Sequence, residues 1–269
     1  MKLLQIHATD YRNYRSISID IDPTGKYFII KANNGSGKTN LLELIYYFTY
    51  FKSFRNTADS DLILHGQKQF MIEIKYEDDG ITDDIIISYD GNKKKILCNE
   101  KRLNKLSDLF SRFISVIFSA TDIDIITGSP IIRRNFFNMF FSLIDSNYFS
   151  DIKTYAAILK QKNFILKNKT NTDLIDIYNR QLSDIIYRIT QTRQKYITEV
   201  RNRFITKYNE LGEFNKKVDI RYIPSLSADR DINSIYKLFC QKKDDELNAG
   251  YSLLGSPRDC YNFYMNGRL

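Results

Sequence analysis

Ala32-Asn33-Asn34-Gly35-Ser36-Gly37-Lys38-Thr39 is the stretch on which the fold of this chain turns. It lies between a short apolar run, Tyr27-Phe28-Ile29-Ile30, and Leu41, Leu42, Ile45, Tyr46 and Phe48 at helical spacing. The order is strand, glycine loop, helix, and the run at 27–30 has the composition of a strand buried on both faces. Gly-x4-Gly-Lys-Ser/Thr in that setting is a phosphate-binding loop. Its backbone N–H groups curl around an anion, and the helix N-terminus adds partial positive charge. Gly35 and Gly37 permit backbone angles and a close approach that a side chain would block. Lys38 is placed to reach the β- and γ-phosphates, and the Thr39 hydroxyl suits Mg²⁺, a hard cation that prefers oxygen. Ala32 stands where the pattern has its first glycine, a mild departure because the second half of the loop makes most phosphate contacts. The bland alternative is a glycine-rich turn with no ligand.

Before the loop, Leu3 to Ala8 and Ser16 to Asp22 suit strands; Ile17, Ile19 and Ile21 alternate with polar residues, so one face is buried. Asp22-Pro23-Thr24-Gly25 is a turn signal. After the loop, segments at 71–76, 84–89 and 96–98, separated by Asp79-Gly80 and Asp90-Gly91-Asn92, predict an antiparallel meander. From Tyr148 the period becomes helical. Leu174, Tyr178, Leu182, Ile185, Ile189, Tyr196, Val200, Phe204, Tyr208 and Leu211 form a stripe broken only at Arg193. A polar break at 168–172 predicts a helical hairpin of 149–167 and 172–211. Residues 218–224 alternate again. The chain therefore reads as α/β, with a head lobe of 1–148 and 216–269 and an inserted helical, basic lobe of 149–215.

The 269 residues are 43% hydrophobic and 27% charged, a globular composition. No apolar run reaches the ~18 residues of a membrane span, and the N-terminus turns polar before a signal-peptide core forms. The chain is expected to be cytoplasmic. Cys98, Cys240 and Cys260 are scattered, and with two histidines they make neither a disulfide framework nor a zinc site. His7 and His65 accompany no nucleophile motif. The net charge of +8 is uneven: residues 151–217 hold 14 basic and 7 acidic side chains, while 1–150 hold 19 and 18. That excess is either a solvated helical face or a polyanion-facing surface. On the second reading Arg188, Lys195, Arg201 and Arg203 are the candidate DNA contacts.

Asn34-Gly35-Ser36-Gly37-Lys38-Thr39-Asn40-Leu41-Leu42-Glu43, preceded by Asp10-Tyr11-Arg12-Asn13-Tyr14, resembles the opening of the RecF family, SMC-like, ABC-type ATPases of recombinational repair. The resemblance continues through Lys52-Ser53-Phe54-Arg55, Leu62-Ile63, Gly66, Leu106-Ser107-Asp108-Leu109, FSATDIDIITGSPIIRRNFF (118–137), Leu159 to Asn163, and Gly255 to Asp259. It implies a P-loop ATPase head with mixed and antiparallel sheets, ATP and Mg²⁺ held by residues 32–39, and Arg12 and Asn13 near the nucleotide. It also implies RecR and RecO as partners at single-stranded or gapped DNA, an ATP-dependent homodimer, and a place in SOS induction. Arg55 resembles the arginine that senses the γ-phosphate or DNA, with a surface salt bridge as the equal alternative. Arg133 and Arg134 are either DNA contacts or braces.

Two departures from the family pattern stand out. Asn99-Glu100 occupies a turn that the family usually makes with Asn-Gly, and Ser256-Pro257-Arg258 replaces Pro-His-Arg. No signature motif and no apolar strand ending in paired acids follows the helical module, because Lys243-Asp244-Asp245-Glu246 is polar. The chain is thus expected to be a C-terminally shortened relative, possessed of ATP and DNA binding, with no catalytic residue assigned. The alternative is a hydrolysis-deficient remnant. A small-molecule P-loop kinase is disfavoured by the meander and the basic helices.

Overall fold

The computed structural model describes residues 2–55, 57–103, 114–212 and 216–268. It divides into two compact units, Met1–Phe118 and Ser119–Leu269.

In the first unit, β1 (Lys2–Tyr11) and β2 (Tyr14–Asp20) form a hairpin, followed by α1 (Lys38–Tyr50), β3 (Phe70–Asp78), β4 (Ile81–Tyr89), β5 (Lys94–Cys98) and β6 (Lys101–Arg102). The sheet order is β2-β1-β3-β4-β5-β6, antiparallel throughout. Alternation sets the register: Ile6 faces Ile74, Ile74 faces Ile85 and Ile87 faces Ile96. All lie on one buried face with Ile72, against Leu44, Tyr47 and Phe48 of α1. Each such isoleucine contributes on the order of 2 kcal/mol relative to an exposed one. Phe70 packs edge-on against both Tyr11 and Tyr47, at 5.5 and 5.6 Å. The meander and the Asp22 turn, where Asp22 accepts from the Thr24 amide and hydroxyl, are as the sequence predicts.

The run Tyr27-Phe28-Ile29-Ile30 is not a strand. It is irregular, and Tyr27 and Ile29 are 89% and 85% exposed. Composition gave it a strand's appetite, yet no strand among the described residues pairs with it, so it has no sheet to enter. The 106–109 segment of the resemblance lies outside the described residues.

The second unit contains α2 (Asp124–Thr127), α3 (Pro130–Ile144), α4 (Ser146–Asn168), α5 (Leu174–Glu210), β7 (Val218–Ile223), α6 (Ile232–Gln241), α7 (Lys243–Ala249) and β8 (Cys260–Met265). Pro130 opens α3 at a position that needs no amide donor. Asp145 caps α4 by accepting from the Asn147 and Tyr148 amides. α4 and α5 form the predicted hairpin, turning through Lys169 and Asn171 in left-handed conformations. β7 pairs with β8, not with the six-stranded sheet. Phe137 of α3 stacks on Tyr261 of β8 with ring centroids 4.3 Å apart. That packing draws residues 119–148 and the C-terminal strand into one core with the helices, so the compact units part at 118/119 where the sequence drew a boundary at 148/149.

The interruption of the α5 stripe has a physical reason. Arg193 is 1% exposed and donates to Asp259, Tyr148 and Asn138 at 2.5, 2.9 and 2.8 Å. Asp259 also accepts from Tyr222 and from Ser225. Arg134 donates to the Asp259 carbonyl, and Arg133 to the carbonyls of Ile126 and Gly128, so both brace backbone within this unit. A second buried pair joins Lys162 of α4 to Glu246 of α7 at 2.6 Å.

Candidate nucleotide-binding site

Residues 32–36 run exposed into α1, whose N-cap is Gly37 at φ +102° with no side chain capping the helix and no acid in its first turn. The first amides of a helix have no partner within it, so this end presents donors and partial positive charge to an anion. A Cβ at Gly37 would sit 2.7 Å from the Asn13 amide and the Tyr14 hydroxyl, so both side-chain ends would have to shift and the left-handed backbone would be strained. Gly35, at φ +80°, has open space around it. Ala32 is not among the residues with positive φ, so its methyl group brings no backbone strain. The Lys38 ammonium folds back along the loop and donates to the Ala32 and Asn33 carbonyls, both at 2.7 Å. Thr39 is exposed on the first turn of α1, where its hydroxyl would serve as an oxygen ligand for Mg²⁺.

The β1–β2 turn supports the loop. Asn13 donates to the Ser36 carbonyl at 3.2 Å and accepts from Asn40 at 2.7 Å; Asn40 in turn accepts from Arg55 at 3.1 Å. A relay of three side chains thus connects Arg55 to the loop backbone. Asp10 and Arg12 both adopt left-handed φ of 53°, an uncommon state for side-chain-bearing residues. Backbone bonds hold it: the Arg12 amide donates to the Leu62 carbonyl at 2.7 Å, and Leu64 donates to the Asp10 carbonyl at 2.8 Å.

Sequence reasoning missed the residue at the centre of this support, Glu43. It is fully buried on α1. Arg12 binds its carboxylate in bidentate fashion with both bonds at 2.8 Å, Ser53 donates to it at 2.5 Å, and Arg55 pairs with it at 3.6 Å. Arg12 also donates to Thr57 and to the Asp61 carbonyl. The Glu43 bond raises the Arg12 pKa above its ordinary value. A buried carboxylate needs that many donors to offset desolvation. The signal was an acid beside Leu44 and Tyr47 on the buried side of an apolar helix. Arg12 and Arg55 therefore brace α1, and Asn13 touches the loop directly.

The candidate DNA contacts lie in the second unit. Arg188 is paired with Asp151 and Asp184. Lys195 lies 5.4 Å over the Tyr196 ring, Arg201 is paired with Asp219, and Arg203 is exposed on α5. Among the described residues no cluster of histidine, cysteine or acids suits a metal ion, and no helix is long and apolar enough to cross a membrane.

No family model matches the chain. The DNA replication and repair protein RecF of Clostridium perfringens (strain 13 / Type A) is 32% identical over 270 residues, covering 99% of this chain and 74% of that protein. RecF of Clostridium acetobutylicum is 30% identical over 271 residues with the same coverage. Among solved structures, the recombination mediator protein RecF of the RecFOR pathway, in a RecF-ATP structure, is similar with TM-score 0.88 at 25% identity, over 99% of this chain and 74% of that one. A second structure of that mediator gives 0.86 at 26% identity, over 98% and 74%.

Proposed function

The chain belongs to the RecF family of DNA replication and repair proteins, and from that premise we propose that it binds ATP with Mg²⁺ through residues 32–39 and binds DNA through its basic second unit. The observation that carries the nucleotide reading is Gly37: a left-handed, uncapped helix start where a Cβ would press on Asn13 and Tyr14, followed by Lys38 and Thr39. The amides of Lys38 and Thr39 hold phosphate oxygens, the Lys38 ammonium turns from the two loop carbonyls to the β- and γ-phosphates, and the Thr39 hydroxyl holds Mg²⁺. Bound Mg²⁺ supplies charge neutralisation between those phosphates. Asn13, through Ser36, keeps the loop seated, and Arg55 relays to it through Asn40.

The proposal covers binding and leaves turnover out. Single-stranded or gapped DNA is the proposed substrate. RecR and RecO are the proposed partners, with an ATP-dependent dimer as the proposed assembly, SOS induction as the process served and the cytoplasm as the compartment. Calorimetry of ATP with Mg²⁺ against the chain and its Lys38→Ala variant tests the nucleotide site: measurable heat that the variant loses supports it, and no heat with the native chain overturns it. For DNA, six engaged cations on a duplex give a log–log salt slope of roughly −5; a flat response removes the DNA role.

A further inference from the structure

Between the C-terminal half of α5 and the antiparallel β7–β8 pair lies a cleft of about 420 Å³, the scale of a small-ligand site. Arg201 lines it from α5. Asp219 and Arg221 of β7 alternate onto one face, with Lys217 just before the strand, while Ile220 and Tyr222 turn into the core. Tyr264 is the cross-strand neighbour of Asp219, and Lys216 also lines the cleft, with Ile205 and Asn209 of α5 among its uncharged walls. Four cations meet one carboxylate.

The five charges are not equivalent. Asp219 accepts from Arg201 and, at 2.9 Å, from Arg221. The Arg201 bond chiefly holds its carboxyl down to about 2; burial opposes it, and the Arg221 bond adds to the lowering. Asp219 thus fixes two guanidinium groups side by side, each keeping further N–H donors. The Arg221 guanidinium lies 4.7 Å over the Tyr264 ring. Lys216 and Lys217 are exposed and have no ion-pair partner among the described residues. Arg188, farther up α5, has two carboxylates to itself.

We propose that this cleft binds single-stranded nucleic acid, with backbone phosphates on Lys216, Lys217 and the Asp219-clamped arginines and an unpaired base against Tyr264. The inference rests on the DNA-binding reading above and gives it a place. A cleft of this volume takes one nucleotide unit. An aromatic ring beside a run of cations is the combination that unpaired strands use, the ring serving any base and the cations the backbone.

The test is fluorescence anisotropy of the full chain with a labelled oligothymidylate and with a duplex of equal length, across a salt series. Lys216→Gln/Lys217→Gln is expected to weaken binding and flatten the log–log salt slope by roughly 1.4. Tyr264→Leu is expected to weaken oligothymidylate binding about ten-fold while leaving the slope unchanged. An unchanged affinity and slope in the double lysine variant, with the native chain binding DNA, overturns the cleft and leaves DNA binding standing. Tighter binding of the duplex overturns the single-strand assignment. Failure of the native chain to bind either DNA overturns the reading beneath both.

Discussion

At Gly37 a methyl group would press on two side chains and strain the backbone. The Asn13 amide and Tyr14 hydroxyl lie 2.7 Å from where it would stand, and the backbone is left-handed. Gly37→Ala is expected to destabilise the chain by about 1–3 kcal/mol, read as a lower urea midpoint, and to abolish ATP heat. Glu43→Gln keeps the volume but leaves Arg12 and Arg55 facing a neutral amide; breaking such a buried pair costs about 3 kcal/mol, measured the same way. Glu100 gives a prediction of opposite sign. Asn99 and Glu100 have φ of 47° and 64°, the two left-handed positions of a tight hairpin turn where glycine is at ease. Glu100→Gly is expected to stabilise by about 0.5 kcal/mol, the relief of left-handed strain exceeding glycine's extra chain entropy; an unchanged or lower thermal midpoint would sink this. The glycine loop and the helix it opens were legible because Gly37-Lys38-Thr39 precedes an apolar run at helical spacing. Glu43 was not, because its role arises from Arg12 and Arg55, far from it in sequence.

Elements that carry a period were readable. The isoleucine alternation of β2, β3 and β4 and the long apolar stripe of α5 state their own partners' side, since burial on one face is the whole of the signal. Others escaped, among them α3, α6, α7 and β8. β8 reads Cys260-Tyr261-Asn262-Phe263-Tyr264-Met265, apolar or aromatic at nearly every position, so no alternation marks it; its place comes from pairing with β7. The 27–30 run failed the other way, because a strand's composition does not make a strand without neighbours to accept its amides. Lys26 and Lys31 flank that irregular, exposed run. Limited trypsin digestion is expected to cut at these two lysines before any site within α4 or α5; first cleavage in the helical hairpin would contradict the exposure seen here.

For the molecule as a whole, the candidate phosphate loop lies in the unit Met1–Phe118 and the clustered cations in the unit Ser119–Leu269. Lys38→Ala is expected to lose ATP affinity and keep the nucleotide-free DNA salt slope, while Lys216→Gln/Lys217→Gln does the converse. Calorimetry and anisotropy on the same two variants check it, and loss of both activities in either variant would show that the sites are not separable. The charge asymmetry along the sequence was the legible sign of the clustered cations. Its location was not, because carboxylates near in space and distant in sequence neutralise some cations and leave others.

The Lys38 ammonium already holds two oxygens, the carbonyls of Ala32 and Asn33. On the proposed reading, a nucleotide entering the loop displaces these carbonyls from the ammonium, and on its departure they return. Such an exchange lowers the barrier to release as well as the gain on capture. It favours an occupant that comes and goes over one that is trapped.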